Sequence, residues 1–146
     1  MALPEFNDAG DLPAAVYRVT VEEALARFGR GSPQREEVTR RLLRILKVAR
    51  STGGLDRVII YGSYVTAKPH PKDVNVVLLM KDGFDWRTCD QEALSLFDHE
   101  QAIVAFGANV FWTRPAAMIF DTVETFIESW QIKRGKGRRG VVIIEA

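Results

Sequence analysis

The sequence predicts one compact α/β (α+β) domain, in which a mixed β-sheet is flanked by helices. Three observations predict this fold class. Short β-rich runs alternate with longer segments whose apolar residues recur at helical spacing. The length of 146 residues fits one domain, numbered 1–146. Apolar residues make up 47% of the chain and charged residues 27%, which is typical of an ordinary globular protein.

The first half of the chain contains an arm, two helices and a strand. Residues 1–17 include two prolines and Gly10, and we expect an extended arm. Thr20 and Glu23 have the spacing of a capping box, which predicts a short helix that ends at Phe28. Ser32-Pro33 begins a second helix, and its apolar residues repeat at helical spacing as far as Gly53-Gly54. "RVIIY" (57–61) is short and β-rich, and is predicted to be a strand.

The second half continues the alternation of strands and helices. "VNVVLLM" (74–80) is apolar on both faces, which predicts a central strand of a covered sheet. Residues 90–106 are predicted to form a helix that Gly107 ends, and "NVFWT" (109–113) a third strand. After Pro115 we expect a helix over about 118–132, followed by a last strand, "GVVIIE" (140–145).

Charge and cysteine content limit the possible surroundings of the protein. The net charge of +1 gives the whole molecule no strong attraction to nucleic acid or to a membrane. Cys89 is the single cysteine, so an internal disulfide is excluded and a reducing compartment is expected. No apolar run has the length of a membrane span, and the acidic N-terminus does not resemble a signal peptide. We therefore predict a cytoplasmic protein that does not contact membranes.

The loop between the first two predicted central strands is flanked by the candidate site residues. One strand ends in Gly62-Ser63, nine residues follow, and the next strand begins with Asp73-Val74-Asn75. Gly62 permits a turn that brings backbone N–H groups close to an anion, and the Ser63 hydroxyl adds a donor. Side chains alternate along a strand, so Asp73 and Asn75 project on one face, where two oxygen ligands can hold Mg²⁺ against phosphates. The alternative interpretation is a plain strand–loop–strand unit in which Asp73 caps the second strand.

This stretch resembles the signature of the nucleotidyltransferase superfamily that contains polymerase β. The signature is an apolar residue, Gly, then Gly or Ser, a loop, and Asp-x-Asp or Asp-x-Glu between apolar residues. More narrowly, "LPAAVYRVTVEEALARFG", "GSYVTAKPHPKDVNVV" and "RGKGRRGVVII" together resemble bacterial minimal nucleotidyltransferase-like proteins, some of whose small relatives are toxin or antitoxin components. The resemblance implies transfer of a nucleoside monophosphate from a nucleoside triphosphate (NTP) to a protein or RNA acceptor, with Mg²⁺.

The chain departs from that signature at the acidic positions. The resemblance implies catalytic roles for Asp73, Asn75 and Asn109, with Asp73 and Asn75 as metal ligands and Gly62 and Ser63 as phosphate-binding residues. The second and third of the three expected acids are therefore amides. A change in formal charge from −3 to −1 weakens divalent binding by several kcal/mol, since one pair of charges ~2–4 Å apart is worth that much at an effective dielectric constant of ~20. Two bound metal ions are implausible, whereas one weakly held Mg²⁺ is not.

Two classes of function therefore stay open. The first is a nucleotidyltransferase whose activity is weak or lost. The second is a degenerate relative, a pseudoenzyme, that acts by binding a partner as a regulator or toxin–antitoxin component. A third interpretation is that the amides were introduced to trap a substrate complex. A basic cluster near the C-terminus is either a solvated turn or a contact for RNA, phosphate or protein, and consists of Lys133, Arg134, Lys136, Arg138 and Arg139.

Overall fold

The structure, a computed structural model, describes residues 3–119, 122–133, 135 and 137–145. In this described part of the chain, five strands form one sheet: β1 (Val16–Val19), β2 (Leu55–Tyr61), β3 (Asn75–Met80), β4 (Asn109–Thr113) and β5 (Val141–Glu145). The same residues include five α-helices: α1 (Val21–Phe28), α2 (Pro33–Ser51), α3 (Gln91–Leu94), α4 (His99–Phe106) and α5 (Val123–Ser129).

The sheet is mixed, with the strand order β1-β5-β2-β3-β4. The central pairs β5–β2 and β2–β3 are antiparallel. The outer pairs β1–β5 and β3–β4 are parallel. The predicted fold class, an α/β (α+β) domain with a mixed sheet and flanking helices, is confirmed.

The two faces of the sheet are covered by different helices. On one face, the apolar sides of α1, α2 and α4 pack on Val58, Ile60, Val76 and Leu78, all of which are buried. On the other face, Ile127 of α5 packs on Ile59, Val77 and Ile143. Alternation of side chains along a strand thus buries β2, β3 and β5 on both faces, which explains their continuous apolar sequences.

Local sequence explains where the first two helices begin. The Thr20 hydroxyl accepts from the Glu23 N–H while the Glu23 carboxylate accepts from the Thr20 N–H, so the predicted capping box is confirmed. The Ser32 hydroxyl accepts from the Arg35 N–H, and Pro33 occupies the first turn of α2.

Several predicted boundaries were wrong. The arm predicted over 1–17 ends earlier, because Val16 begins β1, a strand that the prediction missed and that pairs with β5. The single helix predicted over 90–106 is two helices separated by a 3₁₀ turn over Ser95–Phe97. Asp98 is extended there and caps α4 by accepting from the Gln101 N–H.

The helix predicted over 118–132 is also shorter. Met118 and Ile119 are not helical, Phe120 and Asp121 lie outside the described residues, and α5 starts only after Thr122. The Thr122 hydroxyl accepts from the N–H of Thr125 and so sets this start. Strands β2, β3 and β5 begin within two residues of their predicted starts.

Among the helices that the structure describes, none combines the length and the apolar character that a membrane crossing needs. Cys89 is a free thiol.

Candidate functional site

Three strand ends meet at one edge of the sheet. Strand β2 ends at Tyr61, which pairs with Asn75 at the start of the antiparallel β3. Asn75 pairs in register with Asn109 at the start of the parallel β4. Asp73 lies two residues before Asn75, just outside the strand. The sheet topology therefore places polar residues from distant parts of the sequence side by side.

Asp73, Asn75 and Asn109 form one hydrogen-bonded cluster. The Nδ2 of Asn109 donates to Asp73 Oδ2 at 3.1 Å and to Asn75 Oδ1 at 2.9 Å. The predicted proximity of these side chains is confirmed, while their catalytic and metal-binding roles stay predictions. The oxygens of Asp73 and Asn75 thus both accept from the NH₂ group of Asn109. A cation placed between the same two oxygens would also be stabilised by them.

Gly62, directly after β2, lies against the Asn75 amide of this cluster. Its φ of +84° lies in the left-handed region, which disfavours residues that carry a Cβ. A Cβ on Gly62 would also lie only 2.4 Å from Asn75 Nδ2. Glycine is therefore required here both by the shape of the turn and by the close approach of the amide.

The turn after Gly62 begins with backbone N–H groups that its own hydrogen bonds do not use. A 3₁₀ turn spans Ser63–Val65, and its first hydrogen bond runs from the Val65 N–H to the Gly62 carbonyl. The N–H groups of Ser63 and Tyr64 precede that bond and have no acceptor within the turn. Within the described part of the chain, the Ser63 hydroxyl makes no hydrogen bond, and Ser63 lines an open pocket of about 520 Å³.

A buried arginine holds the loop that follows Ser63. Arg35 of α2 is 5% exposed. Its guanidinium donates to four backbone carbonyls, those of Phe28, Tyr64, Thr66 and Lys68. Three of these acceptors belong to residues 64–68, so the position of the Ser63 loop depends on one side chain that the sequence analysis did not single out.

The donor set fits one weakly held hard cation and does not fit two metal ions. Asp73 is the one carboxylate of the cluster, and Asn75 and Asn109 can offer only neutral carbonyl oxygens. Over the described ranges, no group of three or more His, Cys, Asp or Glu residues is placed to hold a metal ion. To bind a metal through its oxygen, Asn109 would have to turn its NH₂ group away from Asp73.

An aromatic wall adjoins the cluster on the same face of the sheet. The rings of Tyr61 and Trp130 lie 4.6 Å apart, and Phe111 lies 6.0 Å from Trp130. Burial, and to a lesser degree the charge of Asp73, raises the pKa of the Tyr61 phenol to about 12. Tyr61 is therefore neutral at physiological pH. Tyr61 directly precedes Gly62 and belongs to the predicted signature, whereas the place of Phe111 near the site was not predicted, because it depends on strand register.

The basic cluster is partly neutralised by the N-terminal arm. Lys133 Nζ lies 2.7 Å from Asp11 Oδ2, and an Arg139 nitrogen lies 3.5 Å from Asp11 Oδ1. Arg138 is exposed, and Arg134 and Lys136 lie outside the described residues. The role of Asp11 was not predicted, because no local pattern signals a contact across more than 120 positions.

The chain belongs to a protein family of unknown function (DUF6932), whose profile matches residues 4–145. Searches of curated proteins and of solved structures find no match.

Proposed function

We propose that this member of the DUF6932 family is a nucleotidyltransferase-like protein that binds the phosphates of a nucleotide beside Gly62 and Ser63. Its transfer of a nucleoside monophosphate to a protein or RNA acceptor is weak or lost. The observation that carries the proposal is the cluster in which Asn109 bridges Asp73 and Asn75 next to Gly62. Asn109 occupies the position that the resemblance implies for the third acid, on a strand beside the Asp73-x-Asn75 pair.

The shape of the turn supports a phosphate site. Gly62 allows the backbone to come close to a ligand, and Ser63, which lines the open pocket, would donate through its hydroxyl and through its N–H, which precedes the first hydrogen bond of the turn. Charge-assisted hydrogen bonds to a phosphate are roughly twice as strong as neutral ones. These groups would therefore bind a nucleotide even with little help from a metal ion.

The chemistry of the cluster supports weak or lost transfer. In phosphoryl and nucleotidyl transfer, metal ions neutralise charge on the transferred group and orient the attacking oxygen. Here Asp73 would hold one Mg²⁺ carried in with the nucleotide, and Asn75 and Asn109 would contribute neutral oxygens. The hydrogen bonds from Asn109 must break first, at a cost of about 1 kcal/mol for each of the two. This cost lowers the affinity of the cluster for a metal ion.

A second candidate function is partner binding without catalysis, as a regulator or toxin–antitoxin component. The observation that favours it is the single carboxylate of the cluster, together with an exposed cation, Arg138, near Lys133 and Arg139. A basic surface of this kind suits RNA phosphates or an acidic protein. A cytoplasmic location, expected from the single cysteine, belongs to both proposals.

Calorimetry with ATP, GTP, CTP and UTP, each with and without Mg²⁺, tests the proposal. We expect one or more nucleotides to bind, Ser63→Ala to weaken binding at least tenfold, and Asp73→Asn to remove any gain from Mg²⁺. Asp56→Asn, which changes an exposed carboxylate at the far end of β2, is the matched control and should behave like the parent chain.

A parallel assay with labelled nucleotide measures transfer to the chain itself and to added RNA. If no nucleotide binds under any condition, the nucleotide-binding proposal is wrong and partner binding becomes the leading function. If transfer is fast and depends on Mg²⁺, the expectation of weak or lost activity is wrong.

A further inference from the structure

The open pocket beside Ser63 is lined by cationic side chains from segments that are distant in sequence. It has a volume of about 520 Å³, within the usual range for small-ligand sites. Its walls come from the arm, from the loop after Ser63 and from the segment before β5; the residues that matter are Gly10, Asp11, Ser63, Lys68, Lys133 and Arg139. Ser63, which lines this pocket, directly follows Gly62, and a Cβ on Gly62 would meet the Asn75 amide of the polar cluster.

A short hairpin places Lys133 and Arg139 toward this pocket. Ile132 and Arg138 form an antiparallel bridge, the Lys133 N–H donates to the Gly137 carbonyl, and the Arg139 N–H donates to the Gln131 carbonyl. Side chains alternate along extended backbone, so Lys133 and Arg139 project to one side and Ile132 and Arg138 to the other. In agreement, Ile132 and Arg138 are exposed, whereas Lys133 and Arg139 reach Asp11.

Asp11 is fixed in place between these two cations. Its side chain is only 7% exposed, and the next residue, Leu12, is fully buried. The Leu12 carbonyl accepts from the Gly140 N–H, and the Asn7 side chain accepts from the Asp11 N–H. A carboxylate held in this way lowers the repulsion between Lys133 and Arg139 and keeps them close together.

Both cations retain donors that Asp11 does not use. A lysine ammonium has three N–H donors and an arginine guanidinium has five, of which Asp11 engages one on each side chain. The pocket also contains Lys68 and Asp8, so its lining carries three cations against two carboxylates. Excess positive charge, spare donors and the free Ser63 hydroxyl together suit a tetrahedral anion with several acceptor oxygens.

We propose that this pocket binds a phosphate group through Lys133 and Arg139, with Asp11 as the residue that positions them. The inference rests on the proposed function for one point, that the phosphate belongs to a nucleotide bound at Gly62 and Ser63. The same chemistry would also take a free phosphate or pyrophosphate.

Calorimetry in EDTA with two probes, ATP and inorganic pyrophosphate, tests the inference and separates these sources. We expect Lys133→Gln and Arg139→Gln each to weaken both ligands at least tenfold, which corresponds to about 1.4 kcal/mol. Arg138→Gln, with the same charge change on the opposite side of the hairpin, should stay within about twofold of the parent chain, since exposed charges are screened.

Lys133→Arg controls for folding, because it keeps the charge that pairs with Asp11. It should retain affinity within about threefold, since only the charge and its reach are needed. If ATP binds but neither Lys133→Gln nor Arg139→Gln weakens it, the pocket inference is wrong and the proposed function stands. If pyrophosphate shows the expected dependence and ATP does not bind, the inference stands, and the proposed function is decided separately by the calorimetry with the four nucleotides and Mg²⁺. An equal loss of affinity in all three glutamine variants overturns the inference, and so does the absence of binding of both ATP and pyrophosphate.

Discussion

Replacing Asn75 and Asn109 together with aspartate tests whether the amides weaken metal binding at this site. Both changes are nearly isosteric, so the packing of β3 and β4 should survive. The formal charge of the cluster moves from −1 to −3. The two hydrogen bonds from Asn109 Nδ2, at 3.1 and 2.9 Å, become contacts between carboxylate oxygens.

Without metal the double variant should be less stable than the parent chain. Two lost hydrogen bonds cost about 2 kcal/mol together. Each pair of carboxylates about 4 Å apart adds as much as ~4 kcal/mol at an effective dielectric constant of ~20. Uptake of a proton limits this repulsion, because clustered carboxylates raise one another's pKa. We expect a net loss of about 3–5 kcal/mol in EDTA, or a melting temperature lower by roughly 9–15 °C for a chain of this size.

Added Mg²⁺ should reverse much of this loss, because it converts repulsion into attraction. A ligand at about 100 times its Kd stabilises the folded state by about 2.7 kcal/mol, or roughly 8 °C. The assay is calorimetric melting in EDTA and in Mg²⁺. A matched control, Gln91→Glu with Gln101→Glu, adds the same charge at two exposed positions and should show no such gain. An equal Mg²⁺ response in the parent chain, the control and the double variant would refute the reasoning.

Three further predictions concern the turn, its support and the aromatic wall. Gly62→Ala, whose Cβ would meet an amide nitrogen at 2.4 Å at a φ of +84°, should lower the free energy of unfolding in urea by about 2–4 kcal/mol. Gly83→Ala, with open space for its Cβ and no positive φ, should be neutral or raise it by up to about 1 kcal/mol. Arg35→Met should lower the free energy of unfolding by about 3–5 kcal/mol and speed amide hydrogen exchange in residues 64–68, whose carbonyls lose their donor. As a control, Arg40→Met on the exposed face of α2 should change the free energy of unfolding by less than about 0.5 kcal/mol. Tyr61, with its pKa raised to about 12, binds its proton more tightly when folded, so its share of the stability should fall by about 1–3 kcal/mol as pH rises from the unfolded value near 10 to 12. The alkaline loss of stability should be smaller in Tyr61→Phe, where burial still raises the pKa of Tyr17 and Tyr64, and one of the late ionisations in ultraviolet titration should vanish.

Elements with strong local signals could be predicted from the sequence. The capping box at Thr20 and Ser32-Pro33 mark the starts of α1 and α2 through contacts within three residues. Continuous apolar runs identify β2, β3 and β5 because these strands are buried on both faces. The break at Asp98 was missed because helical periodicity continues across it, although an Asp three residues before Gln101 is itself a cap signal.

Local patterns predicted the candidate site only where its parts are close in sequence, and Asn109 was predicted through the family resemblance alone. Asp73 and Asn75 share a face because side chains alternate along a strand. The register of Asn109 with Asn75 depends on β4 pairing parallel to β3, which no local pattern specifies. The same limit applies to Asp11, whose partners Lys133 and Arg139 come together only after the arm docks beside β5. Long-range ion pairs therefore formed the part of the site that sequence reasoning missed.

The amides and the cationic pocket have a common electrostatic consequence. Three carboxylates at the positions of Asp73, Asn75 and Asn109 would repel one another unless metal ions were bound, whereas the hydrogen-bonded amides need none. Under the proposed function, the positive charge that stabilises phosphates would then come largely from Lys133 and Arg139, which Asp11 holds beside Ser63. Fixed side-chain cations favour binding of a polyanion but do not orient an attacking oxygen as a bound metal does. Nucleotide binding that persists in EDTA, combined with slow or absent transfer, is therefore the behaviour that this arrangement of charges favours.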